Sequence, residues 1–324
     1  MRPRLLALRA LGLGDFLTAV PAYRALAAAF PGHERVLAAP AAFAPLERLL
    51  GCFHRVVDAR PLAPLPEPAA APDVAVNLHG SGPESHRILL ALRPRRLIGF
   101  AHPDVPESLA GPRWVQGEHE VHRWCRLLRF HGIAADPQQL SIERPPAPPL
   151  PSGYTLLHPG AASEARCWPV ERWAAVARAE SRAGRRVVLT GDTSEQARVD
   201  AVADLAGAPA PLRLAGTQDL AGLAALIGGA RLVVCGDTGV AHLATALRRP
   251  SVLLFGPTAP AAWGPCIDPT LHRVLWKGGT GDPHGAVPDP ALLQIGVDEV
   301  LAAIADLDRA AGGTASASSA RRRS

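Results

Sequence analysis

Lysine is almost missing from this 324-residue chain: Lys277 is the single one, and arginine supplies the rest of the 34 basic residues. Aromatic residues make up only 5%, and no basic helix is interleaved with them, which argues against a nucleic-acid surface. The five cysteines (Cys52, Cys125, Cys167, Cys235 and Cys266) form no CxxC pair, so a disulfide framework and a structural zinc site are excluded. No run of about 18 apolar residues occurs, so no membrane-spanning helix is expected. The opening Met-Arg-Pro-Arg-Leu-Leu-Ala-Leu-Arg is interrupted by Arg9 and is followed by no small-residue cleavage site. It reads as a first strand rather than a signal peptide, and a cytoplasmic protein is expected.

What is present is apolar and proline-rich. Hydrophobic residues are 48% and charged ones 19%, enough to build sizeable cores. The length suggests two domains. The net charge is +5, and residues 1–150 carry 17 Arg against 13 Asp and Glu. The preference for Arg, Ala and Pro reads as codon bias and carries no function by itself.

Short apolar runs alternate with helical patterns along the chain, which predicts βαβ construction. Strands are expected at 5–8, 35–39, 56–57, 74–78 and 95–100, with helices at 15–30, 45–50 and 119–131. After a proline-rich stretch the pattern restarts. Strands follow at 154–158, 186–190, 232–235 and 251–255, with helices at 169–183, 195–206, 220–228, 239–247 and 297–307. The expected organisation is a domain over 1–143, a stiff linker over 144–152, a second domain over 153–308 and a disordered tail over 309–324. Two such domains joined by a hinge would face each other across a ligand cleft.

Three segments can carry chemistry. Leu11-Gly-Leu-Gly-Asp-Phe-Leu17 follows the first strand, but Leu17 stands where a dinucleotide fingerprint needs its third glycine. Gly12 and Gly14 allow close backbone approach to a ligand. Asp15 then reads either as a helix cap or as a carboxylate presented to one. In the second segment, His158-Pro-Gly-Ala-Ala-Ser163 leads through Arg166 to a helix begun by Pro169. The backbone N–H groups of Gly160, Ala161, Ala162 and Ser163 could meet phosphate oxygens that Arg166 neutralises, or the segment is an ordinary loop. In the third, Val233-Val-Cys-Gly-Asp-Thr-Gly-Val-Ala-His242 runs from a buried strand into a helix start. Asp237, Thr238, Gly239 and His242 lie at a natural anion site, with a capping aspartate and a core histidine as the plainer reading. No metal-ligand spacing appears, so no metal is expected.

Taken together, these segments resemble glycosyltransferase family 9, the ADP-heptose:lipopolysaccharide heptosyltransferases, over residues 4 to 307. Gly236-Asp-Thr-Gly-Val-Ala-His242 with Phe255-Gly-Pro-Thr258 carries the resemblance most strongly. The His158-Pro-Gly…Trp168-Pro169…Trp173 segment comes next, then Gly12-Leu-Gly-Asp15 and Asp73-Val-Ala-Val-Asn-Leu-His-Gly80. The resemblance implies an α/β GT-B fold of two doubly wound Rossmann-like domains and an inverting, metal-independent transferase without a cofactor. It implies Asp15 as general base, with Gly12, Gly14 and His79 on the acceptor side. Arg166, where the family usually has lysine, would bind donor phosphates, and Glu195 would fall near the donor's ribose. Asp237, Thr238, Gly239 and His242 would form the donor turn. Ala259 stands where the family commonly has aspartate. An ADP-sugar donor and an anionic glycan, glycolipid or small-molecule acceptor are the implied partners. A monomer, with peripheral contact at the inner face of the membrane left open, completes the expectation. A nucleotide-sugar epimerase or hydrolase of the same architecture, and a non-catalytic nucleotide-sugar-binding protein, are the alternatives.

Overall fold

A computed structural model describes residues 2–65, 71–146 and 150–321. Part of the expected linker (147–149) and the end of the expected tail (322–324) lie outside the described residues. The chain forms two compact units, Met1–Arg144 and Pro145–Ser324.

The first unit runs β1 (Arg4–Leu8), α1 (Leu13–Thr18), α2 (Val20–Ala29), β2 (Glu34–Ala39), α3 (Ala44–Leu50) and β3 (Arg55–Asp58). It continues through β4 (Val74–Asn77), α4 (Glu84–Leu90), β5 (Arg96–Ile98) and α5 (Glu120–Phe130). The strands lie in the order β3-β2-β1-β4-β5, and every pairing is parallel. Helices on both faces bury the central strands, which is why β1 and β4 read as continuous apolar runs rather than alternating ones.

The second unit holds β6 (Thr155–His158), α6 (Val170–Arg182), β7 (Val187–Leu189), α7 (Gln196–Ala206), β8 (Leu212–Arg213) and α8 (Leu220–Gly229). Then come β9 (Leu232–Gly236), α9 (Gly239–Ala246), β10 (Ser251–Leu254), α10 (Pro260–Trp263), β11 (His272–Leu275), α11 (Pro290–Leu293) and α12 (Val297–Arg321). Its strand order is β11-β10-β9-β6-β7-β8, again all parallel. Trp168 and Trp173 meet edge to face at 5.3 Å in its core, and Trp168 Nε1 donates to the Ile295 carbonyl at 3.0 Å.

Both sheets reverse direction once. In the first unit the chain steps outward from β1 to β2 and β3, then returns to β4 on the other side of β1. In the second it steps from β6 to β7 and β8, then returns to β9. The loops leaving β1 and β4, and those leaving β6 and β9, therefore diverge at the carboxyl ends, where open α/β sheets bind ligands.

Several boundaries differ from the sequence reading. The expected helix over 15–30 is two helices, because Pro21 lacks the N–H that would bond back to residue 17; Ala19 separates them. Pro169 is the N-cap of α6 rather than its first helical residue. The helix α4 was not expected: its buried Ser85 and His86 interrupt the apolar period. The edge strands β8 and β11 were also missed, since neither is a continuous apolar run. The last helix, α12, runs past its expected end at 307.

Candidate functional site

In the first unit, Gly12 is the N-cap of α1, with no side-chain cap, and Gly14 and Asp15 lie in its first turn. Asp15 is thus not the cap. Its carboxylate Oδ1 accepts from Arg9 Nη2 at 3.2 Å, and its side chain is 28% exposed. Arg9 ends the apolar stretch of β1 and is 1% exposed, whereas in the sequence it reads only as a break in that stretch. A lone charge at the carboxyl end of a buried strand was the available signal.

His79 leaves the loop after β4. Its Nδ1 accepts the Ala10 N–H at 3.2 Å and its own N–H donates to Asn77 Oδ1 at 2.9 Å. Burial pushes the ring's pKa down to about 4, with Arg9 adding to the shift and Asp15 opposing it. The ring is therefore neutral at pH 7 and carries its proton on Nε2. Asn77 Nδ2 bonds Ser85 Oγ at 2.8 Å and His86 Nδ1 at 2.7 Å, and His86 Nε2 donates to the Phe100 carbonyl at 2.7 Å. This buried polar cluster, supplied by the unexpected α4, fixes the loop that carries His79. The structure brings Arg9, Asp15 and His79 together at one switch point.

In the second unit, Gly160, Ala161, Ala162 and Ser163 form the loop after β6, and Glu164–Arg166 makes one 3-10 turn. Ser163 Oγ donates to the Pro283 carbonyl at 2.5 Å, and Ala165 N–H to the Gly285 carbonyl at 3.1 Å, so the loop is tied to the chain before α11. Glu195 is the N-cap of α7 but caps nothing with its side chain; its Oε2 accepts the Asp192 N–H at 2.8 Å. Burial raises the Glu195 pKa above the usual carboxylate value. His158 Nδ1 bonds Thr190 Oγ1 at 3.1 Å, its Nε2 lies 3.7 Å from Glu195 Oε2, and burial lowers its pKa to about 4.

Asp237 follows β9 and is buried, which pushes its carboxyl up in pKa against the opposing effects of Arg166 and of Thr258. Arg166 Nη1 donates to the Asp237 carbonyl oxygen at 3.1 Å. Thr238 is the N-cap of α9, accepting from Val240 N–H at 3.3 Å, and Gly239 begins the helix. His242 lies in the first turn, its ring edge-on to Trp263 at 5.8 Å. Ala259 is the N-cap of α10 and makes no side-chain cap. The loop 160–166, Glu195 and the start of α9 thus line the second switch point. Helix N–H groups, one arginine and one glycine-lined turn can hold a diphosphate. Among the described residues, no group of three or more His, Cys, Asp or Glu side chains could hold a metal ion, and no helix is long and apolar enough to cross a membrane.

A family model described as glycosyltransferase family 9 (heptosyltransferase) matches residues 116–275. The chain carries a glycosyltransferase family 9 domain over those residues. Among curated relatives, lipopolysaccharide heptosyltransferase 3 of Escherichia coli is 29% identical over 51% of this chain and 52% of its own length. Lipopolysaccharide heptosyltransferase 1 of Pseudomonas aeruginosa is 37% identical over 46% of this chain and 42% of its own. The chain thus spans about half the length of the curated relatives it matches. Among solved structures, the E. coli ADP-heptose lipopolysaccharide heptosyltransferase II superposes with a TM-score of 0.76 at 20% identity, covering 94% of this chain and 98% of that one. That likeness establishes the α/β GT-B fold the sequence implied. A dodecameric, iron-containing glycosyltransferase, TibC from enterotoxigenic E. coli, shares the fold with a TM-score of 0.63 at 16% identity, over 95% of this chain and 76% of that one.

Proposed function

We propose that this chain is an inverting glycosyltransferase that moves a heptose from ADP-heptose to an acceptor hydroxyl, with the lipopolysaccharide inner core as the leading acceptor. The family 9 match over residues 116–275 and the likeness to curated heptosyltransferases support the transferase chemistry and the heptose donor. The observation that carries the reading within the structure is the pair of switch points. One presents a partly open carboxylate beside a neutral histidine; the other presents helix N–H groups and an arginine.

On this reading Asp15 takes the acceptor hydroxyl's proton as its oxygen attacks the anomeric carbon from the face opposite the leaving diphosphate. The oxocarbenium-like character of the transition state leaves most new negative charge on the diphosphate. The N-terminus of α9, the Gly160–Ser163 backbone and Arg166 would stabilise that charge without a metal ion or other cofactor. Glu195 would meet the ribose hydroxyls, and Asp237, Thr238, Gly239 and His242 the sugar and phosphates. His79, with Nε2–H, can donate to an acceptor oxygen, and Gly12 and Gly14 let the acceptor approach the backbone. The first unit carries 17 Arg against 13 acids, which suits an anionic acceptor. The protein would act as a monomer in the cytoplasm, against the inner face of the membrane when the acceptor is a glycolipid.

The test is to incubate the protein with ADP-heptose and heptose-deficient lipopolysaccharide core in EDTA and read the product by NMR. Transfer with an inverted anomeric centre is expected. Retained configuration, or no transfer until a divalent ion is restored, contradicts this mechanism. Consumption of ADP-heptose at the same rate without acceptor points instead to a hydrolase or epimerase.

A further inference from the structure

Arg9 is 1% exposed, and a buried guanidinium is tolerated only when its donors are satisfied and its charge is met. Its backbone N–H extends the sheet by donating to the Ala38 carbonyl at 2.9 Å, which fixes where the side chain starts. The side chain then reaches two loops at once. Nε donates to the Asp15 carbonyl oxygen at 2.8 Å, Nη2 to Asp15 Oδ1 and to Thr18 Oγ1 at 3.2 Å each, and Nη1 to the Leu78 carbonyl at 2.5 Å. The guanidinium also lies over the Trp124 ring, 4.4 Å from its centre.

Glu120 does not explain this arrangement. Its Oε1 accepts from Arg123 Nε at 2.7 Å, whereas Oε2 is 3.7 Å from Arg9 Nη2. The tighter partner of Glu120 is Arg123, while the hydrogen bonds of Arg9 run to Asp15, Thr18 and Leu78. Arg9 thus grips both the backbone and the carboxylate of Asp15 and, through the carbonyl of Leu78, the residue before His79. A carboxylate anchored through one oxygen, yet still partly open, has a fixed direction.

We propose that Arg9 is the positioning residue for Asp15, holding the carboxylate at one angle to the acceptor and locking it in register with the His79 loop. The proposal rests on the reading of Asp15 as the base. It depends on the fork of arginine, since a lysine offers a single point charge and cannot hold the carbonyl of Asp15, its carboxylate and the Leu78 carbonyl together.

The experiment is a double-mutant cycle on the full chain, with ADP-heptose and heptose-deficient lipopolysaccharide core as substrates. Arg9→Lys is expected to lower kcat by about 10- to 100-fold, the cost of a displaced catalytic group, with the donor's KM unchanged. In an Asp15→Asn background the same change should cost less than about 2-fold, because the group it positions is no longer a base. Arg9→Gln, read in the same cycle, covers the case in which the lysine variant does not fold. A slow Asp15→Asn enzyme that loses a further 10-fold or more with Arg9→Lys or Arg9→Gln overturns the positioning role alone. An Asp15→Asn enzyme at the wild-type rate overturns the reading of Asp15 itself, and the proposal with it.

Discussion

A Cβ placed on Gly160 would lie 2.0 Å from Glu195 Oε1 and 2.1 Å from its Cδ. The carboxylate occupies the space that any other residue at 160 would fill, and it is held there by the Asp192 N–H. The glycine thus serves Glu195 more directly than it serves a phosphate. Gly160→Ala should push Glu195 away and weaken ADP binding by about 10-fold, roughly 1.4 kcal/mol. Titration calorimetry with ADP measures this. Glu195→Ala should weaken binding about as much, and the double variant no further. An alanine variant that binds ADP normally would remove this pair from the donor site.

Arg166 faces the buried Asp237. On the proposed mechanism, Arg166→Ala removes charge facing the donor diphosphate in both the ground and transition states. ADP affinity and kcat/KM should therefore fall together, by about 10- to 100-fold, the range expected for one charged hydrogen bond. Arg166→Lys should recover most of the loss. Steady-state kinetics alongside calorimetry would show it, and unchanged values for the alanine variant would take Arg166 out of the site.

Acid sensitivity follows from the buried histidines. Burial lowers the pKa of His79, His158 and His272 from 6.5 to about 4. Between those values the unfolded chain binds more protons than the folded one, so stability rises with pH across that window. It is fully present above about pH 6.5 and is lost as pH falls toward 4. Tm measured by calorimetry should drop over this interval, and His158→Gln, which cannot titrate, should make the drop shallower. An unchanged slope in that variant would contradict the assignment of a neutral, buried His158.

The central strands and the loops that follow them were legible because parallel strands buried on both faces leave unbroken apolar runs, as in β1, β6 and β9. Those runs put Asp15, Ser163 and Thr238 just past the carboxyl ends. The polar framework behind them was not legible. Arg9 and Asp15 are six residues apart, and neither the burial of Arg9 nor its reach to Leu78 has a sequence period. The buried pairing of Asn77 with His86 likewise has no sequence period, because it forms only where α4 packs beside β4. The contact between Gly160 and Glu195 spans 35 positions and is set by the register of β6 with β7. The family resemblance placed both residues near the donor, but not against each other.

The proposed mechanism turns on Asp15 as the general base. In the structure Gly12 caps α1, so Asp15→Asn leaves the cap untouched, and the Asn side-chain oxygen can still accept from Arg9. The direct measurement is the turnover of Asp15→Asn with ADP-heptose and a working acceptor, beside the Kd for ADP and the Tm of the same sample. Turnover should fall by about 10²–10⁴-fold, the usual contribution of a general base, while Kd and Tm hold. Near-wild-type turnover in a folded, ADP-binding variant would contradict the assignment.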